Sequence, residues 1–464
     1  MTSQPVNFRG RIRDAFAEGV PIAIDTGARG HYQGRVNAAA LFPQMEGMRD
    51  RARLIRAETL TNLHRYLGQF ADAVERRGGK VFFAADAAEA NDYIVDLATF
   101  EEVSRVVKVK SMVTEEIHLN DALEQAGMEV VETDLGEFIV QLAGETPSHI
   151  IAPVLHKNRH DVAELFAEEL GVDYTTDPGE LNDIARKHLR DRFLTAEMGI
   201  SGVNFAVAKD GAVALVTNEG NGRISTTVPR IHVAVMGMER LVRDREDLAV
   251  MLEVLARSAT GQKLSVYSNL VSGPRRAGEP DGPDQFHVVI VDNGRSATLG
   301  SAVAEILYCI RCGACLNACP VYRHVGGHAY GSVYPGPIGK VLTPSLFGLE
   351  EWHELPSASS LCGACTEACP VRIDIPKLLV ELRKQSTSHV SRGIRLGIKG
   401  YARLTTRPVL FRFVTRLVGL VSRPLSRDGW MRRVPWGLSG WTAERDLPAP
   451  APETFNDWWG KRGT

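Results

Sequence analysis

The sequence predicts an α/β layer fold followed by a smaller region that carries cysteines between helices. Short β-rich runs alternate with helix-like stretches over residues 79–295, which is typical of strands covered by helices. All seven cysteines fall in two clusters between residues 309 and 369. With 464 residues, 44% hydrophobic and 24% charged, the chain can bury two or three cores, which excludes disordered chains and disulfide-rich miniproteins.

The charges nearly cancel overall but are unevenly distributed. The chain has 54 Lys+Arg and 56 Asp+Glu, a net charge of −2, so we expect no nucleic-acid partner. Residues 383–433, however, contain 13 basic residues and one acid. The start of the chain lacks the pattern of a signal peptide, and no apolar stretch reaches the roughly 18 residues of a membrane span. We therefore expect a cytoplasmic protein, with any membrane contact peripheral.

The N-terminal segment, residues 1–78, is predicted to be helical and to pack on the α/β domain. From about Gln44 to Gly78 the apolar residues recur mostly at spacings of three and four, with many charges between them. This pattern predicts one long amphipathic helix that ends at Gly78-Gly79.

The α/β domain, residues 79–295, contains six predicted strand runs, which are 81–85, 105–109, 128–133, 231–236, 264–270 and 286–291. Helix-like stretches such as 159–170 and 238–257 separate them. Residues 203–217 hold two β-rich runs around Lys209-Asp210-Gly211, which predicts a hairpin with an Asp-Gly turn. We place the domain boundary after Asn293-Gly294.

The cysteine-bearing domain is predicted over residues 296–388. A helical run from Ser296 to Tyr308 leads into the cysteines, and a second from Pro376 to Lys384 leads away from them, with Pro at its first turn. Residues 389–464 form a basic, proline-interrupted tail. One helical face of the tail is apolar and consists of Val409, Leu410, Phe413, Val414, Leu417 and Leu420. This face either docks on anionic lipid or an acidic partner, or packs on the cysteine domain.

The first cysteine cluster has a spacing specific to iron–sulfur proteins. Its pattern is C-x2-C-x2-C-x3-C-P, formed by Cys309, Cys312, Cys315 and Cys319. This is the run of bacterial two-cluster ferredoxins, in which three thiolates bind one cubane and the fourth binds a second cluster. Structural zinc sites usually take two C-x2-C pairs, and disulfides need an export route, so both are disfavoured.

The second cluster repeats the run with one departure, since Ser359 stands where the first cysteine is expected, before Cys362, Cys365 and Cys369. Exchange of the fourth cysteines then gives two ligand sets. Cluster 1 takes Cys309, Cys312, Cys315 and Cys369, and cluster 2 takes Cys319, Cys362 and Cys365. Both are expected to be [4Fe-4S] clusters. The open corner of cluster 2 is left to the Ser359 oxygen, another side chain, water, or a missing iron as in [3Fe-4S].

Nucleotide-binding motifs fail in this chain. Residues 323–344 are rich in Gly and Pro, but Tyr334 and Val341 break the phosphate-loop pattern. This segment is instead predicted to be a loop that wraps the clusters. His324 and His328 are then expected to lie behind the cluster ligands or on the surface. The string TNEGNGR (217–223) contains two glycines of a dinucleotide-binding motif, but Ser225 stands where the motif needs its third Gly. The sequence therefore gives little support for nicotinamide binding.

Two polar groups remain as weaker candidates. Glu219 and Arg223 either bind a small carboxylic acid or form a charged turn, and the turn is favoured. The polar group at 149–160 either binds anions or starts a helix, and the helix start is favoured. It consists of His149, His156, Lys157, Asn158, Arg159 and His160.

Four strings carry a resemblance to a known family. They are KSMVTEEIHLN (110–120), GVNFAVAKDGAVALVTNEGNGR (202–223), CIRCGACLNACPVYRHVGGHAYGSVYPGPIG (309–339) and SSLCGACTEACPV (359–371). They resemble the lactate utilization protein B family over nearly the whole chain. The resemblance implies an N-terminal LUD domain, similar to the sugar-isomerase and CoA-transferase α/β fold, followed by an α-helical ferredoxin domain. It also implies the two ligand sets given above, and Ser359 looks like a family feature.

The functional hypothesis combines the motif and the resemblance. The resemblance implies oxidation of L-lactate to pyruvate together with two companion proteins, with this member relaying electrons through two [4Fe-4S] clusters to a further acceptor. An alternative hypothesis is a catalytic subunit that binds the hydroxy acid at an open cluster iron or in the LUD pocket. In a third hypothesis the clusters serve only to hold the C-terminal domain together.

Overall fold

The structure is a computed structural model that describes residues 7–17, 21–434, 442, 445–451 and 453–462. Its backbone contacts divide the chain into two compact units, Met1–Ser386 and Thr387–Thr464. Each unit is described by itself below.

The first unit alternates helices and strands over most of its length. Its α-helices are α1 Phe8–Ala17, α2 Pro21–Ala40, α3 Met45–Thr61, α4 Leu63–Glu75, α5 Ala87–Phe100, α6 Met112–Glu116, α7 Leu119–Gln125, α8 Leu135–Leu142, α9 Arg159–Leu170, α10 Pro178–Thr195, α11 Asn221–Thr227, α12 Arg245–Ala259, α13 Arg295–Leu299, α14 Ala314–Ala318, α15 Pro320–Val325, α16 Gly336–Phe347, α17 Leu349–Trp352, α18 Ala364–Ala368 and α19 Ile375–Gln385. Its strands are β1 Lys80–Ala84, β2 Arg105–Lys108, β3 Glu129–Glu132, β4 Met198–Gly202, β5 Phe205–Val207, β6 Ala212–Thr217, β7 Ile231–Gly237, β8 Leu241–Val242, β9 Tyr267–Val271 and β10 Gln285–Val291.

Six strands form one parallel sheet in the order β1-β10-β7-β4-β2-β3. Every residue of β7 is buried, because helices cover both faces of the sheet, and its sequence is accordingly apolar apart from the buried His232. The predicted α/β class is confirmed. The sequence analysis missed β4, whose Met-Gly-Ile-Ser-Gly sequence has little β-propensity. A Cβ at Gly199 would lie 1.7 Å from the Ser225 carbonyl oxygen, so α11 can approach this strand only at a glycine.

A smaller sheet lies beside the first, in the order β8-β5-β6-β9. The predicted hairpin is confirmed, with β5 and β6 antiparallel and Phe205 opposite Ala214. Gly211 takes a φ of +60°, and a Cβ there would lie 2.5 Å from the backbone of Ala73. The turn therefore needs glycine for its backbone conformation and for its contact with α4.

Two predicted helices are wrong in their extent. The long helix expected from Gln44 to Gly78 is two helices, α3 and α4, because the backbone leaves helical geometry at Asn62 (φ −109°, ψ 28°). The Asn62 side chain donates to the Glu58 carbonyl oxygen, which favours a helix end. The run expected from Ser296 to Tyr308 is the short α13 and then a 3-10 helix, Ala304–Tyr308, separated at Gly300.

Two other predicted helices, α9 and α19, lie where expected. α9 begins at a capping box formed by Asn158 and Asp161, and α19 begins after Asp374, whose side chain accepts from the Lys377 N–H. α12 begins later than predicted, after a 3-10 turn, Met238–Arg240, and β8.

One continuous apolar core joins the α/β sheets to the cysteine-bearing helices. It includes Phe205 and Met236 of the sheets together with Ile306, Leu316 and Leu379 of the later segment. The N-terminal helix α2 packs against α14 and α15 as well as α12. The boundary after Gly294 stays a prediction.

The described part of the second unit contains the α-helices α20 Arg392–Thr405, α21 Pro408–Ser422 and α22 Phe455–Gly460, and a two-strand ladder, β11 Trp430–Met431 with β12 Leu447–Pro448. Within it, Arg416 of α21 forms an ion pair with Asp457 of α22. Neither unit has, among its described helices, one with the length and apolar character needed to cross a membrane.

Candidate functional site

The two cysteine runs fold into loops of the same shape. Each loop has a non-glycine residue at positive φ, Arg311 (φ 59°) or Leu361 (φ 56°), two residues before a glycine at positive φ, Gly313 (φ 74°) or Gly363 (φ 85°). The five-residue helix α14 follows in the first loop and α18 in the second. The repeat in spacing is therefore also a repeat in backbone geometry.

Backbone N–H groups point at the sulfur atoms. The N–H of Arg311 donates to Cys309 Sγ at 3.3 Å, that of Tyr322 to Cys319 Sγ at 3.5 Å, and that of Ile373 to Cys369 Sγ at 3.4 Å. Such donors stabilise negative charge on sulfur and tune the potential of a bound cluster. Burial raises the pKa of Cys369 and of Cys365 to about 11, so metal binding must displace their protons.

Four cysteines surround one small, apolar cavity. Three come from the first run and the fourth is the last cysteine of the second run, so the set is Cys309, Cys312, Cys315 and Cys369. Isoleucines complete the lining, among them Ile150, Ile310 and Ile373. In the described part of the chain no three His, Cys, Asp or Glu side chains are placed to hold a single metal ion. A cubane is bound at separate corners, so ligands that surround a volume fit it.

The other three cysteines form a second, more exposed group. Cys319 is buried, Cys365 is half-buried and Cys362 is exposed. Burial and then the charge of Cys319 raise the pKa of Cys365 to about 11. The buried Lys340 donates to Cys319 Sγ at 3.9 Å, which places a positive charge beside this group.

Two N-terminal helices, α2 and α3, donate hydrogen bonds to the second loop, an interaction referred to below as the clamp. The cysteine spacing did not predict this contact. Arg49 of α3 donates through Nη2 to the carbonyl oxygens of Cys369 (2.9 Å) and Glu367 (2.8 Å). Arg35 of α2 donates to the same Glu367 oxygen at 2.9 Å. Both guanidinium groups therefore lock the backbone that carries Cys369.

A larger crevice of about 490 Å³ opens at the carboxyl ends of the parallel strands. Its walls include Lys110 after β2, Asn204 after β4 and Arg240 after β7. Parallel sheets commonly bind ligands at this edge. Ile150 and Arg311 line this crevice and also the cysteine cavity, so the two spaces are neighbours.

Buried arginines outnumber the acids at the floor of the crevice. Arg295 forms a bidentate pair with Glu116 (2.7 and 2.8 Å) and donates to Glu239 at 2.7 Å. Glu239 also faces Arg311 (3.3 Å) and Arg240 (3.7 Å). Three guanidinium groups thus share two carboxylates. Because this network is shielded from water, the electrostatic interactions of its charges are stronger than they would be at the surface.

Of the weaker polar candidates, Glu219 lies in the crevice wall and Arg223 is exposed on α11 outside it. Glu219 accepts from the Leu135 N–H at 3.2 Å. Burial, and then Asp134, raise its pKa to about 7. Only the acidic member of the predicted pair therefore faces a cavity.

The histidines have structural partners. Burial lowers the pKa of His149 to about 3, so the ring is neutral, donating to Asn317 and accepting the Ile151 N–H. His328 donates to the Thr146 carbonyl oxygen at 2.7 Å. Lys157 pairs with Glu145, and Asn158 caps α9 as the favoured helix-start interpretation predicts.

Three family models match successive segments of the chain. Residues 67–291 match the LUD domain, residues 305–373 the 4Fe-4S dicluster domain, and residues 380–464 the domain described as Lactate utilisation protein B, C-terminal. A crystal structure of a DUF162 family protein from Deinococcus radiodurans is similar at 15% identity over 49% of this chain and 98% of that chain, with a TM-score of 0.28.

Curated relatives match at much higher identity. Lactate utilization protein B of Oceanobacillus iheyensis is 49% identical over 94% of this chain and 92% of its own length. The protein of the same name from Shouchella clausii is 50% identical over 90% and 88%, and that from an Exiguobacterium species 48% identical over 97% and 96%. The chain therefore belongs to the lactate utilization protein B family.

Proposed function

We propose that this chain is the electron-transfer subunit of a cytoplasmic system that oxidises L-lactate to pyruvate. It would relay electrons from a lactate-oxidising companion through two [4Fe-4S] clusters to a further carrier. Cluster 1 would be held by Cys309, Cys312, Cys315 and Cys369, and cluster 2 by Cys319, Cys362 and Cys365. The observation that carries the proposal is the apolar cavity surrounded by three cysteines of one run and one of the other. The name of the curated relatives, lactate utilization protein B, supports the choice of lactate.

The residues around the cysteines suit a relay. When bound, each cluster supplies a site that accepts and donates single electrons. The protein contributes N–H donors to sulfur, an apolar lining that excludes water, and the positive charges of Arg311 and Lys340 near the ligands. Positive charge beside a cluster favours its reduced form.

The ligands of the two proposed clusters differ in their exposure to solvent, which indicates which cluster a partner protein can approach. Cys312, Cys315 and Cys369 are buried, whereas Cys362 is exposed. A partner protein could therefore approach cluster 2 more closely than cluster 1. We propose that the surface around Cys362 exchanges electrons with one of two companion lactate utilization proteins.

The basic tail is proposed to make a peripheral contact with an anionic membrane surface. Exposed apolar residues of α20, such as Ile394 and Ile398, alternate with Arg395 and Lys399. Amphipathic helices of this composition lie in the interface of anionic bilayers.

Substitution of Cys315 with alanine tests the relay. We expect the reassembled system to lose lactate-dependent reduction of its acceptor, because cluster 1 would lack a buried ligand. The control Ser357→Ala, at an exposed serine outside both ligand sets, should keep the activity. Normal turnover by Cys315→Ala would contradict the proposal.

Electron paramagnetic resonance of the reconstituted wild-type chain gives a second, independent readout. We expect L-lactate to reduce the clusters only after the companion proteins are added, with a chemically reduced sample as reference. Reduction by L-lactate alone would show that this chain itself oxidises the acid, against the proposed relay.

A further inference from the structure

Ser359 occupies the place of a first cluster ligand in the second loop. Its Oγ accepts the Leu361 N–H at 3.2 Å, and in the first loop Cys309 Sγ accepts the Arg311 N–H at 3.3 Å. Both donors lie two residues after the acceptor, and both have positive φ, 56° and 59°. The serine oxygen therefore has the same local hydrogen bond as the cysteine sulfur.

The second loop keeps its shape although the thiol is gone. Positive φ is costly for Leu361, because its Cβ crowds the backbone. A loop that had lost its ligand would be free to relax at this residue. Arg383 further holds the segment by donating to the carbonyl oxygens of Ser359 (2.9 Å) and Pro356 (2.8 Å).

We propose that Ser359 Oγ, as an alkoxide, is the fourth ligand of cluster 2. The inference rests on the proposed assignment of Cys319, Cys362 and Cys365 to that cluster. Coordination forms one Fe–O bond and releases the hydroxyl proton to solvent, as thiols release theirs when metal binds. An oxygen ligand is harder than thiolate and favours ferric iron, so cluster 2 should be harder to reduce than with four thiolates.

The test compares the iron content and the Mössbauer and paramagnetic resonance spectra of four anaerobically reconstituted proteins: wild type, Ser359→Ala, Ser359→Cys and, as the control, Ser357→Ala at an exposed serine two residues earlier. We expect wild type and Ser357→Ala to hold two four-iron clusters. Ser359→Ala should lose one iron per chain and show the signal of an oxidised three-iron cluster. Ser359→Cys should restore the fourth iron and make cluster 2 easier to reduce.

Full iron content with an unchanged spectrum in Ser359→Ala would overturn the proposal, and so would a three-iron cluster in the wild type. Neither outcome depends on lactate turnover, so failure of the ligand proposal and failure of the proposed relay are distinguishable.

A separate observation concerns the crevice at the strand ends, which borders the cluster 1 cavity. Three buried arginines, Arg56, Arg295 and Arg311, and the partly buried Arg240 lie near two buried acids, Glu116 and Glu239. Among the described residues, Nε and Nη1 of Arg311 donate to no oxygen, and Cys309 is the charged neighbour that raises the pKa of Arg311 most. The guanidinium group of Arg240 also lines the crevice, with its nearest carboxylate oxygen 3.7 Å away.

The lining of the crevice also contains uncharged polar and acidic side chains. It includes Asn204, Asn218, Asn221 and Glu219, and Asn221 Oδ1 has no hydrogen-bond partner among the described residues. Guanidinium groups bind carboxylates through paired N–H donors, and amide or carboxyl groups hold a hydroxyl or carbonyl. The crevice therefore offers both contacts that a short substituted acid needs.

We infer that the crevice binds a small 2-hydroxy or 2-oxo carboxylate, with Arg311 and Arg240 as the anion-binding pair. This inference rests on the proposed function for its choice of acid. The Arg311 backbone N–H lies on Cys309 Sγ, so a bound anion would sit beside cluster 1 and make that cluster harder to reduce.

Calorimetric titration of the cluster-loaded full-length chain with L-lactate and pyruvate tests the inference, with uncharged lactamide as the matched ligand control. We expect at least one of the two acids to bind, lactamide not to bind, and Arg240→Gln to weaken binding by about tenfold or more, as expected for a lost charge-assisted contact. Arg240→Lys should retain part of the affinity.

Absence of binding by both acids, equal binding of lactamide, or unchanged affinity in Arg240→Gln with intact cluster spectra would overturn the inference. The relay itself is measured with companion proteins present, so it can stand if this site fails.

Discussion

Arg56 shows how a single buried charge connects distant segments. Its guanidinium group donates to the carbonyl oxygens of Leu241 (2.8 Å), Leu307 (3.0 Å) and Tyr308 (3.3 Å), and also to that of Glu239. Burial lowers its pKa to about 10, so it stays charged at neutral pH. It thus ties the end of the sheet to the segment that enters the first cysteine run.

Replacement of Arg56 with methionine should destabilise the first unit by about 3 kcal/mol or more, because several buried carbonyl oxygens lose their donor. Denaturant unfolding of the cluster-loaded protein, followed by circular dichroism, measures the effect. The exposed neighbour Arg51→Met is the matched control and should cost less than about 0.5 kcal/mol. Equal effects of the two variants would contradict this role.

Glu219 should make stability depend on pH. Its folded pKa is raised from 4.5 to about 7 by burial and by Asp134, so the folded state binds more protons than the unfolded state between these values. Stability is therefore expected to fall as the pH rises through this window, from about 4.5 to about 7. Glu219→Gln should flatten the dependence of the unfolding midpoint on pH. Parallel curves for the two proteins would show that this carboxyl does not titrate as proposed.

At the scale of elements, α3 supports the loop that carries Cys369. Arg49→Met would remove the donors to the Cys369 and Glu367 carbonyl oxygens, each a charge-assisted bond. We expect the variant to lose cluster absorbance about tenfold faster in the presence of an iron chelator, since the loop would open more often. Arg51→Met on the same helix is the control. Identical loss rates in Arg49→Met and wild type would contradict the clamp.

Contacts such as the clamp have no local sequence signal and could not be predicted from the sequence, whereas features with a local signal could. Alternating apolar runs predicted most strands, and cysteine spacing predicted two repeated loops, because both signals are local. The helix break at Asn62 and the glycine-rich β4 were missed, since their local signals are weak and packing decides them. The contact between Arg49 and Cys369 spans 320 residues of sequence and has no local signature.

For the whole molecule, the continuous core of the first unit brings the cysteine loops against the parallel sheet. The sequence predicted iron–sulfur ligands at the cysteines and a weaker candidate binding residue at Glu219, in two separate domains. The crevice joins them, because Arg311 of the first loop and Glu219 of the sheet edge line one cavity. The ligand sets stay a prediction, which the cavity around Cys309 and Cys369 supports.

The basic second unit carries the last prediction, that the protein binds anionic membranes through charge. Residues 387–433 hold 11 basic residues and one acid, and α20 exposes apolar side chains beside its charges. The triple variant Arg395→Glu, Lys399→Glu and Arg403→Glu should lose about 3 kcal/mol or more of binding to vesicles rich in phosphatidylglycerol, at about 1 kcal/mol per basic residue. Sedimentation with vesicles measures this, and added salt should weaken wild-type binding in the same assay. The control reverses three exposed basic residues of the first unit, Arg76, Arg77 and Lys80, which changes the net charge equally. If wild type stays in the supernatant, or if both triple variants lose binding to the same degree, the contact is not made by α20.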